Sequence, residues 1–224
     1  MYQGLSIWGD SIAKGVVYDE ARGRYMISRE NCVMRLNREL GIPVENHAVM
    51  GCTSEQGLKR MEEKQLTPGN LAIIEFGGND CDLDWTAASE QPDVRQTGKV
   101  SLEKFAENLV AMVRRVRESG MIPVLVTPPP LVAQRYFEWV SKNLDPKRIL
   151  NYLGDVEHIY RWQERYAVVI GRIARSENTK LLDVRDIFLA QDDFNDLMCV
   201  DGIHPNEKGH ALLYENFSAL LQSV

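Results

Sequence analysis

Leu5-Ser6-Ile7-Trp8-Gly9-Asp10-Ser11 is a short apolar run that passes directly into a small polar turn. A continuous apolar run of this length is typical of a strand covered on both faces, as in parallel sheets. A serine that follows such a strand lies in a strand-to-helix turn, where the helix N-terminus favours negative charge. We therefore predict that this segment is the first strand of a parallel α/β sheet, with Ser11 at its carboxyl end.

Further apolar runs alternate with segments of helical periodicity along the chain. The predicted strands after the first are Pro43 to Ala48, Leu71 to Phe76, Ile122 to Thr127, and Lys180 to Val184. The predicted helices are Arg29 to Leu40, Ser101 to Ser119, Arg161 to Arg175, and Asn206 to Leu221. Strands that alternate with helices predict a three-layer α/β/α sandwich with right-handed crossovers around a five-stranded parallel sheet.

The composition is that of an ordinary globular protein, and it narrows the classes of partner. The chain has 224 residues, of which 44% are hydrophobic and 26% charged, and no repeat or linker divides it, so we expect a single domain over 1–224.

A formal net charge of −6 argues against nucleic acid or an anionic membrane as the main partner. The sequence shows neither an apolar run long enough to span a bilayer nor a signal peptide, so we expect a cytoplasmic protein without integral membrane association. The oligomeric state is left open.

Two insertions interrupt the alternation, at about 81–100 and 128–160. Both follow the carboxyl ends of predicted strands, where open α/β sheets bind ligands. Long connections of this kind often carry function. The aromatic residues in them are expected either to pack a helical insertion onto the body or, for Trp85 or Tyr136, to line a pocket.

Three more polar motifs follow predicted strands or precede the last helix. They are Asn46-His47-Ala48-Val49-Met50-Gly51, Gly77-Gly78-Asn79-Asp80, and Asp201-Gly202-Ile203-His204-Pro205. Because the carboxyl ends of parallel strands meet at one edge of a sheet, we expect all of these motifs to gather there. A serine becomes a good nucleophile when a histidine takes its proton and a carboxylate orients that histidine. The motifs therefore predict a hydrolase with Ser11 as nucleophile, His204 as base, and Asp201 as its acid partner.

With these four motifs in this order, the chain resembles the SGNH hydrolase superfamily, also called GDSL esterases and lipases. The resemblance extends over essentially the whole length, from Gly9 to His204. It implies a flavodoxin-like sandwich with five parallel strands and the hydrolysis of esters and thioesters. Ser11, His204 and Asp201 match the family's nucleophile, general base and orienting acid.

The same resemblance matches Gly51 and Asn79 to the oxyanion donors of the second and third motifs. The Ser11 N–H, the Gly51 N–H and the Asn79 amide would then form a three-donor oxyanion hole. The sequence departs from the common pattern at His47-Ala48 and at Gly78, but neither departure removes a catalytic group. We expect no cofactor and no metal, since Asp201, His204 and His210 lack the spacing typical of a metal site.

The preferred function is a serine esterase for small carboxylic esters with short acyl groups, such as acetyl esters of sugars or small alcohols. A lysophospholipase or an acyl-thioesterase is the enzymatic alternative, and acyl transfer to an acceptor other than water is also open. A flavodoxin-like binding module is the non-enzymatic alternative, although no phosphate-binding glycine loop follows the first strand. The α/β-hydrolase family is disfavoured because the chain has no G-x-S-x-G motif.

Several other chemically active side chains are expected to be structural. Asp10 and Asp80 are predicted to hydrogen-bond their own loops, and His210 to be partly buried in the last helix. No role is assigned to His47 or His158. The cysteines lie far apart and are expected to be free thiols, with Cys52 and Cys81 as candidates to line the pocket.

Overall fold

A computed structural model describes residues 2–222 of the chain. The strands are β1 (Leu5–Gly9), β2 (Val16–Asp19), β3 (Arg24–Ile27), β4 (Val44–Asn46), β5 (Leu71–Glu75), β6 (Ile122–Val126) and β7 (Lys180–Leu182). The helices are α1 (Ser11–Lys14), α2 (Cys32–Leu40), α3 (Ser54–Glu62), α4 (Gly78–Cys81), α5 (Trp85–Glu90), α6 (Leu102–Glu118), α7 (Ala133–Ser141), α8 (Pro146–Leu153), α9 (His158–Ser176), α10 (Val184–Leu189) and α11 (Glu207–Gln222). A 3-10 turn covers Phe194–Leu197. Within the described residues, no helix has both the length and the apolar character needed to cross a membrane.

The main sheet has five parallel strands in the order β4-β1-β5-β6-β7. The strand order reverses beside β1, since β4 follows it on one side and β5 on the other. This is the flavodoxin-like order, in which ligands bind at the carboxyl ends of the strands beside the reversal. The register places Gly9 opposite Glu75 and Ile7 opposite Asn46, so the residues that follow these three strands emerge at the same edge.

Helices cover both faces of the sheet and bury a hydrophobic core on each. Leu5 and Ile7 pack with residues of α2, α10 and α11, whereas Trp8 packs with residues of α3, α6 and α9. Successive side chains of a strand point to opposite faces of the sheet, and here both faces are buried under helices. This explains why the strands have continuous apolar runs rather than alternating ones. The predicted three-layer α/β/α sandwich is confirmed.

All five predicted strands and all four predicted helices are present, with ends displaced by a few residues. Several further elements were not assigned from the pattern, among them the helices α3 and α10. The antiparallel hairpin β2–β3 lies between α1 and α2, in a segment that the pattern left unassigned. The insertions at 81–100 and 128–160 contain the short helices α5, α7 and α8, which agrees with the alternative of a helical insertion.

These short helices form a third hydrophobic cluster above the edge of the sheet where the polar motifs meet. Leu83, Leu131 and Leu153 are buried in it, with Tyr136 and Phe137 packed against them. The helix α5 packs on α8, and Arg148 of α8 donates to the backbone carbonyls of Ser89 and Glu90 at the end of α5. The insertions therefore close over the sheet edge as a packed layer.

Gly57 tests how tightly the helical layer packs against the strand β5. A Cβ atom at Gly57 of α3 would lie 2.3 Å from a ring carbon of Phe76, a buried residue directly after β5. We expect Gly57→Ala to lower the free energy of unfolding by roughly 1–3 kcal/mol, because overpacking outweighs the better helix propensity of alanine. The measurement is urea denaturation at neutral pH.

Gly171 of α9 is the matched control, since a Cβ atom there meets nothing within 4 Å. Gly171→Ala should raise the free energy of unfolding by up to about 1 kcal/mol. Equal effects of the two substitutions would contradict the close packing of α3 on Phe76.

Candidate active site

Ser11 lies at the first position of α1, and Asp10 separates it from the end of β1. The side chain of Asp10 caps this short helix, because its Oδ1 accepts the N–H of Ile12 at 2.9 Å. Gly15, with a φ of +84°, ends the helix one turn later. The Ser11 hydroxyl is thereby held at the carboxyl end of the sheet, at the N-terminus of a helix, where negative charge is favoured.

His204 and Asp201 lie in the tight turn that precedes α11. Gly202 between them has a φ of +75°, and a Cβ atom there would lie 2.7 Å from the Val132 carbonyl oxygen. Only glycine fits both conditions. Asn206 then caps α11 by accepting the N–H groups of Lys208 and Gly209.

The two ends of the chain meet in one line of hydrogen bonds. The Ser11 hydroxyl is 2.8 Å from His204 Nε2, and His204 Nδ1 is 2.6 Å from Asp201 Oδ2. Because Nδ1 faces a carboxylate, the proton of the neutral imidazole belongs on Nδ1, and Nε2 is left to accept from Ser11. This arrangement allows the imidazole to take the proton of the serine hydroxyl.

Asp201 is completely buried, yet it is held as an anion. Burial alone would raise its pKa, but hydrogen bonds from the His204 ring and from the backbone N–H groups of Ile203 and His204 more than offset this, and the pKa is lowered. A further donor comes from outside the turn, because the Tyr25 hydroxyl donates to Asp201 Oδ2 at 2.9 Å. A carboxylate with this many donors stays ionised next to an imidazolium.

Three residues that carry hydrogen-bond donors line the same cavity as the Ser11 hydroxyl. Gly51 has a φ of +76°, and neither its N–H nor that of Ser11 donates within the described residues. Asn79 donates one amide proton to Asp10 Oδ2 at 2.8 Å, and this fixes the direction of its second amide proton. All three residues line the cavity, as an oxyanion hole requires.

The cavity beside Ser11 lies between the sheet edge and the layer formed by the insertions. Its volume is about 230 Å³. Aliphatic and aromatic side chains make most of its wall, including Leu83, Leu131 and Ile159, and both Trp85 and Tyr136 belong to it. The Tyr136 hydroxyl and the Trp85 indole N–H both donate to Asp82 Oδ1, and Asp82 also lines the cavity.

The family model for the GDSL-like lipase/acylhydrolase family matches residues 7–212. The chain belongs to this family. No curated protein matches the sequence.

Solved structures of this family share the fold of the chain. A lipase/acylhydrolase from Enterococcus faecalis is similar with a TM-score of 0.67 and 22% identity, over 100% of this chain and 96% of that one. An acetylxylan esterase from Geobacillus stearothermophilus has a TM-score of 0.63 and 22% identity, over 97% and 93% of the two chains. The esterase EstA from a Pseudoalteromonas species, inhibited by monoethylphosphonate, has a TM-score of 0.61 and 19% identity, over 99% and 97%.

Beneath the candidate oxyanion hole of this family member lies a group of buried carboxyl groups. Burial raises the pKa of Asp10, and it raises the pKa of Glu75 well above the usual range, with the charge of Asp10 adding to the effect. We therefore take Glu75 as the protonated partner, so that the pair carries about one negative charge rather than two. Asp80 Oδ1 accepts from both the N–H and the hydroxyl of Ser54, at 2.9 and 2.5 Å, and Asn108 in turn donates to the Ser54 hydroxyl.

The other candidate residues of the sequence lie away from the proton-transfer line. His210 is buried in α11, and burial lowers its pKa to about 4. His47 stacks on Trp8, and His158 lines the cavity beside Trp162. Within residues 2–222, no group of histidine, cysteine and acidic side chains could hold a metal ion.

The cysteines divide into different surroundings. All four are buried free thiols. Cys81 lines the cavity, and burial raises its pKa well above the usual range, so it is a poor nucleophile. Cys52 lies instead beside a shallow groove lined by α3, on the other side of Gly51.

Tyr25 is a polar side chain of the site that the sequence analysis missed. Its signal was present, because Val16-Val17-Tyr18-Asp19 and Arg24-Tyr25-Met26-Ile27 flank a short turn that contains Gly23. Two short β-type runs around a glycine turn predict a hairpin. The contact of the hairpin with Asp201, 176 residues further along the chain, is visible only in the structure.

Asp80 gives the site a testable pH dependence of stability. Burial raises its pKa to about 6, from a usual value near 4, so the native state binds a proton more tightly than the unfolded state does. The contribution of protonated Asp80 to the free energy of unfolding is therefore fully present below about pH 4. It is lost as the pH rises toward and beyond 6. We expect the free energy of unfolding of Asp80→Asn to rise by roughly 1–3 kcal/mol relative to that of the unchanged protein as the pH increases from 4 to 7. The measurement is urea denaturation.

The control is Asp192→Asn, which removes an exposed carboxylate. Its stability curve should run parallel to that of the unchanged protein over the same pH range. If the Asp80→Asn curve were also parallel, the carboxyl group of Asp80 would not titrate in this range.

Proposed function

We propose that the protein is a serine esterase that hydrolyses carboxylic esters through an acyl-enzyme intermediate. The observation that carries the proposal is the line from the Ser11 hydroxyl through His204 to Asp201, which opens on a cavity bordered by three hydrogen-bond donors. Membership of the GDSL-like lipase/acylhydrolase family supports the same reaction class.

In the first half of the reaction, His204 Nε2 takes the proton of Ser11 while Oγ attacks the ester carbonyl carbon. The carbonyl oxygen becomes an oxyanion and accepts from the Ser11 N–H, the Gly51 N–H and the Asn79 amide. Asp201 stabilises the imidazolium that forms. The tetrahedral intermediate then collapses, His204 gives its proton to the leaving alcohol, and the acyl group stays on Ser11 Oγ.

In the second half, a water molecule takes the place of the alcohol. His204 removes a proton from it, the hydroxide attacks the acyl carbon, and the same three donors hold the second oxyanion. Collapse breaks the bond to Ser11 Oγ, which regains its proton from His204 and releases the carboxylic acid. No metal or cofactor is needed in either half.

The size of the cavity supports small esters with short acyl groups as substrates. Its volume of about 230 Å³ lies below the range of roughly 300–1,000 Å³ that is usual for sites of drug-sized ligands. The structural similarity to an acetylxylan esterase agrees with this choice. Acetyl esters of sugars or small alcohols are therefore the proposed substrates. The proposed location of the protein is the cytoplasm.

Ser11→Ala tests the nucleophile. The variant should lose covalent labelling by a fluorophosphonate and lose roughly 10⁴-fold or more in kcat/KM on p-nitrophenyl acetate, while its circular dichroism spectrum is unchanged. The kcat/KM of His204→Ala should fall nearly as far. The kcat/KM of the double variant should be no lower than that of the worse single variant, because the two side chains act together. Labelling that persists in Ser11→Ala would identify another nucleophile and overturn the proposal.

The substrate range is tested with p-nitrophenyl esters from acetate through butyrate and octanoate to palmitate, with acyl-CoA thioesters beside them. We expect kcat/KM to fall by roughly tenfold or more between butyrate and palmitate, because the cavity wall excludes the longer chains. Ile159→Ala removes part of that wall and should move the preference toward octanoate. Ile149→Ala, in the same hydrophobic cluster but outside the cavity wall, should leave the preference unchanged. A maximum at palmitate would favour a lysophospholipase, and a maximum on thioesters an acyl-thioesterase.

A further inference from the structure

The hairpin β2–β3 places an aromatic side chain against the acid partner of the histidine. It leaves α1 at Gly15 and pairs in antiparallel register, with Tyr18 opposite Tyr25. The Tyr18 ring packs edge-on against both Tyr25 and Trp139 of α7, at centroid distances of 5.2 and 4.9 Å. The same helix that carries Ser11 thus continues into a strand pair that is anchored on the insertion layer.

Tyr25 touches both members of the pair that activates Ser11. Its hydroxyl donates to Asp201 Oδ2 at 2.9 Å, and this is the oxygen that accepts from His204 Nδ1 at 2.6 Å. Its ring lies 5.1 Å from the His204 ring, centroid to centroid, with an interplanar angle of 57°. It also lines the cavity beside Ser11. One carboxylate oxygen is therefore shared between the tyrosine and the histidine.

The hydroxyl of Tyr25 remains a donor over the whole working pH range. Burial and the adjacent charge of Asp201 raise its pKa far above the usual value. The other ionisable groups that face His204 are Asp10 at the N-terminus of α1 and His210 on α11, and Cys199 lies near Asp201. None of these three side chains hydrogen-bonds Asp201 in the described part of the chain, so Tyr25 is the side chain besides His204 that donates to this carboxylate directly.

We propose that Tyr25 is a positioning residue that sets the orientation and the basicity of His204 through the shared oxygen of Asp201. The inference rests on the proposed serine-esterase mechanism. A hydrogen bond from a hydroxyl disperses part of the charge on Asp201, so the carboxylate attracts the imidazolium less strongly. It also acts together with the two backbone N–H groups on Oδ1 to hold the carboxylate, so that Oδ2 stays aimed at Nδ1.

The sign of the effect follows from the charge on Asp201. Without the Tyr25 hydroxyl the carboxylate charge is less dispersed, and the protonated form of the His204 ring is more stable. Since the reaction requires the neutral ring, the acidic limb of the pH–rate profile should move to higher pH. Loss of orientation should lower the plateau rate as well.

The test uses Tyr25→Phe, which keeps the ring in the cavity wall and removes the hydroxyl alone. Tyr18→Phe is the matched control, because Tyr18 lies opposite Tyr25 in the same aromatic cluster and does not line the cavity. In Tyr25→Phe we expect kcat at the plateau to fall about tenfold, the order for losing a hydrogen bond to a charged group, with KM changed less than about twofold. The acidic limb should move up by about half a pH unit. Tyr18→Phe should have the same kcat, KM and acidic limb as the unchanged protein.

A second measurement does not depend on turnover. The imidazole ¹⁵N resonances of the four histidines are followed by NMR against pH, with the His204 signal assigned by its loss in His204→Gln. The titration midpoint of that signal should rise in Tyr25→Phe and stay in place in Tyr18→Phe, while the other three histidines are unaffected. Incorporation of 3-fluorotyrosine, a stronger donor, should move the same midpoint down, and this measurement applies even if Tyr25→Phe folds poorly.

The two proposals fail in different ways. If Ser11→Ala retains activity, the esterase mechanism fails, whereas the NMR midpoints still report whether Tyr25 acts on His204. If Ser11→Ala is inactive but neither Tyr25→Phe nor fluorination moves the His204 midpoint, only the role of Tyr25 is overturned.

Discussion

One buried carboxylate, that of Asp10, joins the first and third motifs into a single site. Its Oδ1 fixes the start of α1 and with it the position of Ser11, and its Oδ2 holds the amide of Asn79. The side chain is 2% exposed, so its charge is supported by these hydrogen bonds rather than by water. Ser11 and Asn79 come from different strands, and a common partner sets their separation more precisely than the sheet alone could. The sequence analysis gave Asp10 a structural role within its own loop, and the structure extends that role across two strands.

The sheet order brings the remaining parts within reach of Asp10. β1 lies between β4 and β5, so the residues that follow these three strands emerge side by side, and the turn before α11 approaches them from the far end of the chain. Ser11 and His204 are 193 positions apart, yet their side chains are hydrogen-bonded. The contact depends on rigid backbone, because α11 is anchored by its apolar side in the same core as β1. A site made at strand ends gains its geometry from elements that are already fixed by burial.

Residue patterns predicted the sheet, the main helices and the convergence of the four motifs, because each depends on local signals. Continuous apolar runs indicate strands that are buried on both faces. The carboxyl ends of parallel strands lie at one edge of the sheet, so motifs that follow such strands are expected to meet there. The hairpin β2–β3 was missed although two short β-type runs flank its glycine turn, because its strands are short and only partly buried. A helical insertion was one of the expected alternatives, but the bounds of α5, α7 and α8 were not predicted, because tertiary packing rather than periodicity holds such short helices in place. The bonds of Asp10 to Asn79 and of Tyr25 to Asp201 join residues far apart in sequence, and no local pattern encodes them.

The environments of the buried acids separate their protonation states. Asp10, Glu75 and Asp80 are all buried, and burial raises the pKa of each, while Glu75 Oε1 and Asp80 Oδ2 have no hydrogen-bond partner in the described residues. Asp201 is equally buried, but its donors lower its pKa. Acids whose pKa values are driven apart by their surroundings can take different tasks within one site. Here the acid that must stay charged beside an imidazolium is the one that receives hydrogen bonds from the histidine, from two backbone N–H groups and from Tyr25. Since Glu75 is taken as protonated, the acids beneath the candidate oxyanion hole carry less negative charge than fully ionised carboxylates would, and this limits their repulsion of an oxyanion.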